Sequence, residues 1–216
     1  MQTGNTVFVG LGASNQSPRR YGWARSLTSI GCFVLGSYVF SRLSNIVGPR
    51  GRGSLILSFS IQAITLSLTA CLIQTDVIAG IPISKMAGAA GADIIDWTQQ
   101  AAIVLLSFQS AGQIVASRAL GFNEIPTVVI TSLLCDLVSD AELLAWRNGK
   151  RDCRIVAFCL TLLGAISGGW ITRATGDIAP VLWLAAGIKL VLVVLWVIWR
   201  GESILWGGYR GWPLFI

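Results

Sequence analysis

The sequence predicts an all-α integral membrane protein, a helical bundle of about five spanning helices with two short re-entrant or half-helix segments. Three observations predict this fold class. Hydrophobic residues make up 54% of the 216 positions and charged residues only 12%, about half the charged fraction of a soluble domain. Five stretches approach the roughly 20 apolar residues that cross a bilayer. Most of the nine tryptophans lie at or near the ends of those stretches, where the headgroup region favours them.

The composition excludes a water-soluble enzyme, a disordered tail and a nucleic-acid-binding domain. The net charge is +6, but the basic residues are clustered between the apolar stretches, an arrangement that orients membrane helices and contacts anionic lipid. Histidine is absent from the sequence, so the usual general base and the commonest zinc ligand are missing. We therefore expect no catalytic residue, metal, cofactor or nucleic-acid partner. The expected partners are the lipid bilayer and a small solute.

The apolar stretches place the expected spanning helices. The first stretch is short, so we expect its flanks to snorkel or the bilayer to thin around it. The last stretch has a charge, Lys189, near its centre, whereas the other four have none in their interior. The five stretches are Ser26–Ser41, Ser54–Thr75, Trp97–Ser117, Ile155–Thr172 and Ile178–Trp199.

Two further apolar segments, Thr3–Leu11 and Ile125–Val138, are too short to cross the membrane. Polar residues begin both, and Pro126 suits the first turn of a helix. We predict re-entrant or half-helix segments here, with both ends of the second segment on one side of the membrane. Arg118 and Glu124 flank the turn into that segment, where they contribute to a functional site or form an interfacial ion pair.

An internal repeat is also visible, in which a short segment is followed by two helices. Residues 6–9, Thr-Val-Phe-Val, resemble residues 127–130, Thr-Val-Val-Ile. The last helix of each unit has a polar residue at matching depth, Gln62 in the first unit and Lys189 in the second. With the basic loops placed in the cytoplasm, the two units are inverted. We expect one transmembrane domain, 1–216, with repeat halves at about 1–76 and 97–200 and an interfacial tail at 201–216.

Small residues spaced four apart allow helices to approach closely. Ser107 with Ala111 and Gly164 with Gly168 have this spacing, and we expect such faces to support close packing and a homo-oligomer. The cysteines have no CxxC spacing, so we expect small buried hydrophobic side chains and no disulfide framework. They are Cys32, Cys71, Cys135, Cys153 and Cys159.

Polar residues inside or beside the apolar stretches are the candidates for a functional site, because an intramembrane polar group is costly. Gln109 and Gln113 share one helix face and either line a polar cavity or hydrogen-bond to neighbouring helices. We expect Lys189 to face inward and to pair with Asp136 or a carbonyl. The candidate polar path comprises Asn5, Thr6, Gln62, Gln109, Gln113, Arg118, Glu124, Thr127, Thr131, Asp136 and Lys189.

Four motifs resemble a known family: MQTGNTVF at 1–8, SFQSAGQIVASR at 107–118, GFNEIPT at 121–127 and CDL at 135–137. From Met1 to about Arg200 the chain resembles the fungal branch of the YoaK-like membrane proteins (domain-of-unknown-function family 1275). Family members usually have another hydrophobic helix before the Thr-Gly-Asn motif, so we expect that this chain lacks its first helix. The resemblance implies an integral membrane protein, suggests transport, and supplies no catalytic residues.

Three classes of function are then in competition. The first is a small-solute transporter or permease, since interrupted segments that meet near the midplane are typical of secondary transporters. The second is a non-catalytic scaffold or accessory subunit, for example one linked to fungal secondary metabolism, in a plasma membrane or endomembrane. A membrane enzyme is the least favoured, because magnesium and diphosphate chemistry needs clustered carboxylates and the nearest arrangement is Asp136-x-x-x-Asp140.

Overall fold

The computed structural model describes residues 2–16, 21–48, 51–78, 97–121, 130–140, 145 and 148–198. Seven α-helices and no strand occupy these residues. Five of the described helices are long and apolar enough to cross a membrane, as the sequence predicts: Gly22–Val47, Arg52–Gln74, Gln99–Ala119, Gly149–Thr175 and Ala179–Ile198. In chain order the helices are α1 Gln2–Ala13, α2 Gly22–Val47, α3 Arg52–Gln74, α4 Gln99–Ala119, α5 Ile130–Val138, α6 Gly149–Thr175 and α7 Ala179–Ile198.

Helix α2 is longer than the short first apolar stretch predicts. It has 26 residues, about 39 Å at the α-helical rise, so the bilayer need not thin around it. The apolar stretch Ser26–Ser41 covers only its middle. The helix continues through Arg25 at one end and Arg42 at the other, because long basic side chains near a helix end reach the headgroup region while the backbone stays helical.

Helix α6 also begins earlier than its apolar stretch. Asn148 precedes it in extended conformation, and its side-chain oxygen accepts a hydrogen bond from the Arg151 backbone N–H at 3.1 Å. A side-chain cap of this kind satisfies one of the free donors at a helix start. The apolar run from Ile155 locates the helix, but the cap determines where it begins.

The helices pack in a row in which α4 has the central position. Helix α4 lies against both α2 and α3, which have little contact with each other. Helix α1 packs on the far side of α2, and α7 packs along α3. At the other end of the row, α6 has only limited contact with α7 and with α5. The core therefore lies along α2, α4, α3 and α7.

Aromatic and polar contacts give the directions of the helices. We call the end of the bundle where α2 begins end A and the opposite end, where α3 begins, end B. The rings of Tyr21 and Trp97 lie 6.4 Å apart, so α4 begins at end A and runs parallel to α2. The Trp183 Nε1–H donates to Gln74 Oε1 at 2.9 Å, and Arg52 donates to the Trp196 carbonyl at 2.9 Å. Helix α7 therefore begins at end A and is antiparallel to α3.

These directions place the end of α4 and the beginning of α6 at the same end of the bundle. Helix α4 ends at end B. Helix α6 begins there as well, because the three-residue turn before Ala179 joins its last residue, Thr175, to α7 at end A. The connection that contains α5 therefore begins and ends at end B. Residues 125–129 of the second short segment lie outside the described residues.

Glycine allows α2 and α4 to approach closely. A Cβ atom at Gly36 would lie 2.8 Å from the Phe108 carbonyl oxygen and 3.0 Å from the Ala111 Cβ. At Gly112, a Cβ would lie 2.7 Å from the ring of Phe40. Ala111 is fully buried, and Ser107 one turn away is 9% exposed. The Ser107 and Ala111 pair thus lies in a tight helix contact, as its spacing predicts.

Two other expectations are wrong for the described residues: that Gly164 and Gly168 lie in a close contact between helices, and that the cysteines are buried. A Cβ at Gly164 would have no neighbour within 4 Å, and one at Gly168 would make only an ordinary 3.5 Å contact with Val181. Helix α6 has no buried residue, so this small-residue pair brings no described helix close. Four of the five cysteines are exposed and Cys32 is half-buried, because the apolar stretches point much of their surface outwards, where a thiol is also compatible with lipid.

Candidate functional site

The central feature of the bundle is a polar cluster around Lys189, which lies midway along α7. Its Nζ donates to Gln62 Oε1 on α3 at 2.6 Å and to Gln113 Oε1 on α4 at 3.4 Å. The ring centroid of Phe59 is 5.6 Å from the same nitrogen, within the range of a cation–π contact. Lys189 thus faces its neighbouring helices, and three of the spanning helices meet at its ammonium group.

Gln62 connects this cluster to a buried hydroxyl. The Gln62 side chain is fully buried, and its Nε2 donates to Ser58 Oγ at 3.0 Å. Both polar ends of the amide are therefore satisfied, as a buried amide requires. Gln109, one turn before Gln113 on α4, differs: its Oε1 is buried and has no hydrogen-bond partner among the described residues.

Of the two partners predicted for Lys189, the structure shows carbonyl oxygens, those of the Gln62 and Gln113 side-chain amides, and not Asp136. Asp136 is exposed on α5, and its backbone carbonyl accepts a hydrogen bond from Arg154 of α6 at 3.2 Å. Arg154 also forms an ion pair with Asp140 at 3.0 Å. Since α5 packs against α6 and α7 packs along α3, Asp136 belongs to a separate group of charges at end B.

A second polar group lines an open cavity of about 320 Å³ between α1, α2 and α4. Asn5 donates to Ser29 Oγ at 2.9 Å, and Ser29 and Ser107 share a hydrogen bond of 2.9 Å. Gln2 lies 3.4 Å from Ser29 Oγ and accepts from Asn5 at 3.0 Å. The cavity is lined by Gln2, Asn5, Arg25, Ser26, Ser29, Ile103, Leu106, Ser107 and Ser110. It is therefore a polar recess inside the part of the bundle nearer end A.

A third group of polar side chains lies between the central cluster and end B. Ser44, Ser54 and Ser58 are buried and line a small cavity of about 10 Å³ between α2, α3 and α4. That volume is about the minimum that a single water needs. Ser58 also accepts from Gln62, so it belongs to both groups.

Helix α4 connects the cavity near end A to the central cluster. Ser110 lines the cavity, and Gln113, three residues further on, contacts Lys189. Side chains three residues apart on a helix are neighbours. Polar side chains therefore follow one another from Asn5 and Ser107, through Gln113 and Gln62, to Ser54 near end B. We call this series the polar file.

The remaining predicted site residues lie outside the file. Thr6 donates to the Gln2 carbonyl within α1 and is exposed, and Thr131 is exposed on α5. Arg118 is exposed in the last turn of α4. Glu124 and Thr127 lie outside the described residues.

Several members of the file could not be identified as site residues from the sequence. Gln2, Ser29, Ser58 and Ser107 are small or terminal polar residues of a kind common in membrane helices. Gln2, Ser29 and Ser107 gain their role from a neighbour on another helix, and Ser58 gains its role from Gln62 on its own helix. One signal was present: Ser54, Ser58 and Gln62 are spaced four apart and so share one face of α3.

The chemistry available in the file is that of amides, hydroxyls and one ammonium group. Within the described residues, no group of three or more cysteine, aspartate or glutamate side chains comes together as metal ligands would. Among those residues, Lys189 is also the only charge in the middle of a candidate span, because the others lie near helix ends or on α5. The arrangement can hold a small polar group by hydrogen bonds and charge.

The fold and the polar file define a helical, multi-pass membrane protein. The chain belongs to the DUF1275 family, whose description is a protein of unknown function, and the match covers residues 1–195. Neither a curated protein nor a solved structure matches the chain.

Proposed function

We propose that the protein is a transporter or permease for a small polar solute and that it has no catalytic role. The observation that carries this proposal is the polar file, in which the cavity, the Lys189 cluster and the buried serines follow one another between the two ends. A polar or charged side chain at the centre of a membrane is expensive to insert, at about 2.5–3.5 kcal/mol for a lysine. A row of such groups is typical of a solute pathway.

The inverted repeat belongs to the same proposal. Helix α2 runs from end A to end B and α6 from end B to end A, while α3 and α7 are antiparallel. Gln62 and Lys189, the residues at matching depth in the two halves, contact each other directly. Two oppositely oriented halves that meet at a polar site near the midplane would support alternating access.

A scaffold or accessory subunit is the second candidate, and one observation favours it. The Lys189 ammonium already has two amide oxygens and an aromatic face around it, which is also what a purely structural cation requires. In that case the polar residues hold helices together, and the extensively exposed α6 binds lipid, a partner or a second copy of the chain. Solute flux separates the two candidates.

The transport proposal predicts that a bulky side chain in the cavity stops solute passage. Purified protein in proteoliposomes would be mixed with iso-osmotic solutions of small polar solutes, and swelling would be followed by light scattering. Because Ser110 lines the cavity, Ser110→Trp should slow the passage of any solute that the wild type transports by roughly tenfold or more, as constriction of a pathway does.

The control is Ala101→Trp, which adds the same bulk to an exposed position of the same helix. Its passage rate should equal that of the wild type. Equal rates for Ser110→Trp and the wild type would contradict a route through this cavity. Wild-type vesicles that are no more permeable than protein-free vesicles would favour the scaffold.

A further inference from the structure

We propose that the transported solute is a small monovalent anion and that it binds at Lys189. This inference rests on the proposed transport function and assigns its substrate class. Two observations support it: in the part of the chain that the structure describes, the Lys189 ammonium has only neutral groups around it, and the Gln62 amide can exchange its donor and acceptor ends.

The Lys189 ammonium has no acidic partner among the described residues. Its contacts are the oxygens of Gln62 and Gln113 and the ring of Phe59, and all of these groups are neutral. The acidic residues that the structure describes lie on α5 or just after it, in the first turn of α6 or in turns at end A: Asp76, Asp136, Asp140, Asp152 and Asp177. Within the described part of the chain, one positive charge in the middle of the bundle is therefore left without a counter-ion, and a solute with one negative charge would neutralise it.

The amide of Gln62 can serve the cluster both with and without an anion. In the structure its oxygen faces Lys189 and its nitrogen donates to Ser58. A half-turn of the amide would point the N–H group at an anion beside the ammonium. The amide oxygen would then accept from the Ser58 hydroxyl, because a serine hydroxyl both donates and accepts. The buried polar atoms of Gln62 and Ser58 therefore keep a hydrogen-bond partner both with and without a bound anion.

Gln113 is suited to the same exchange. Its oxygen lies 3.4 Å from the ammonium, a longer contact than the 2.6 Å to Gln62, so an approaching anion has a weak bond to displace. Ser110 lines the cavity of about 320 Å³ and is a neighbour of Gln113 on α4, so the cavity and this side of the cluster are one helical turn apart. A single ammonium with amide donors matches a compact anion with one charge. A dianion would need the bidentate guanidinium groups that bind phosphate most firmly.

The test uses full-length protein in proteoliposomes with valinomycin, so that potassium follows any anion that enters. Swelling is measured in iso-osmotic potassium chloride, potassium nitrate and potassium methanesulfonate, and with urea and glycerol as neutral solutes. We expect the wild type to pass at least one of the three anions. Lys189→Met should reduce that rate by roughly tenfold or more, and Lys189→Arg should retain most of it, because only the latter keeps the positive charge.

The sharpest variant is Gln62→Glu, which places a carboxylate beside Lys189 with almost no change of size. This internal counter-ion should stabilise the fold and reduce anion passage by about tenfold, since it competes with the solute for the ammonium. The matched control is Gln74→Glu on the same helix. It keeps an oxygen acceptor for Trp183 and should pass anions at the wild-type rate.

The outcomes separate the two proposals. Passage of urea or glycerol without any of the three anions would overturn the anion assignment and leave transport in place. Passage of none of the five solutes would overturn the transport proposal itself. Wild-type anion rates in the folded Gln62→Glu protein would also overturn the assignment, and this variant remains informative even if Lys189→Met fails to fold.

Discussion

Replacing Gly36 with alanine is expected to push α2 away from α4 and to lower the free energy of unfolding by about 1–3 kcal/mol. The new Cβ atom would lie 2.8 Å from a backbone carbonyl oxygen, that of Phe108. A backbone atom cannot rotate aside as a flexible side chain can, so the two helices must separate along the contact. Thermal unfolding of the detergent-solubilised protein, followed by tryptophan fluorescence, measures the change.

Gly31→Ala is the matched control for this prediction. Gly31 lies on the same helix, but a Cβ there would have no neighbour within 4 Å. Alanine is a better helix former than glycine by roughly 0.5–1 kcal/mol, so this variant should be neutral or slightly stabilised. Equal stabilities for the two variants would show that α2 and α4 are not in tight contact at Gly36.

The second large effect is expected for Gln62→Leu, which should destabilise the protein by about 2–3 kcal/mol. The substitution removes the closest acceptor of the Lys189 ammonium, at 2.6 Å, and leaves a partly buried charge with only the more distant Gln113 oxygen. Gln109→Leu is the control, because Gln109 Oε1 is buried without a partner and its removal should cost nothing.

A double variant isolates the pair itself. In Gln62→Leu with Lys189→Met, both partners become apolar, so neither a charge nor an amide oxygen is left stranded. We expect the double variant to recover stability relative to Gln62→Leu, with an interaction energy of at least about 1 kcal/mol. Additive effects in chemical unfolding experiments would contradict a direct contact between the two side chains.

Much of the fold could be predicted because the membrane imposes it. Every spanning helix contains a long apolar stretch, interrupted by a charge only at Lys189 in α7, and the number of such stretches equals the number of long helices in the described residues. The ends of the helices were less predictable. Arg25 and Arg42 lie inside α2, yet a search for apolar residues stops before them, and the cap at Asn148 depends on a local hydrogen bond.

The centre of the site was predictable, but the helix that supplies the partner of Lys189 was not. A lysine in the middle of an apolar stretch has to face other helices, and Gln62 was already visible at matching depth. The choice between Gln62 and Asp136 depends on which helices are neighbours, and that is decided by packing of small and apolar residues such as Ala186 and Leu66 between α3 and α7. The spacing of residues along one sequence does not show which helices are neighbours, so it cannot decide between Gln62 and Asp136.

The central claim, that the Lys189 cluster lies on a solute pathway, is tested most directly by access of water-soluble reagents to it. In a chain whose five cysteines are replaced by serine, Gln113→Cys and Ile188→Cys would be treated in proteoliposomes with a membrane-impermeant cationic thiol reagent. The two positions flank Lys189 at similar depth and both are exposed. The Gln113 side chain faces the Lys189 ammonium, whereas Ile188 is 57% exposed on the outer surface of α7, where lipid excludes the reagent. We predict rapid modification of Gln113→Cys and no modification of Ile188→Cys. Failure of both cysteines to react, while an exposed Ser41→Cys at end B reacts readily, would contradict the pathway.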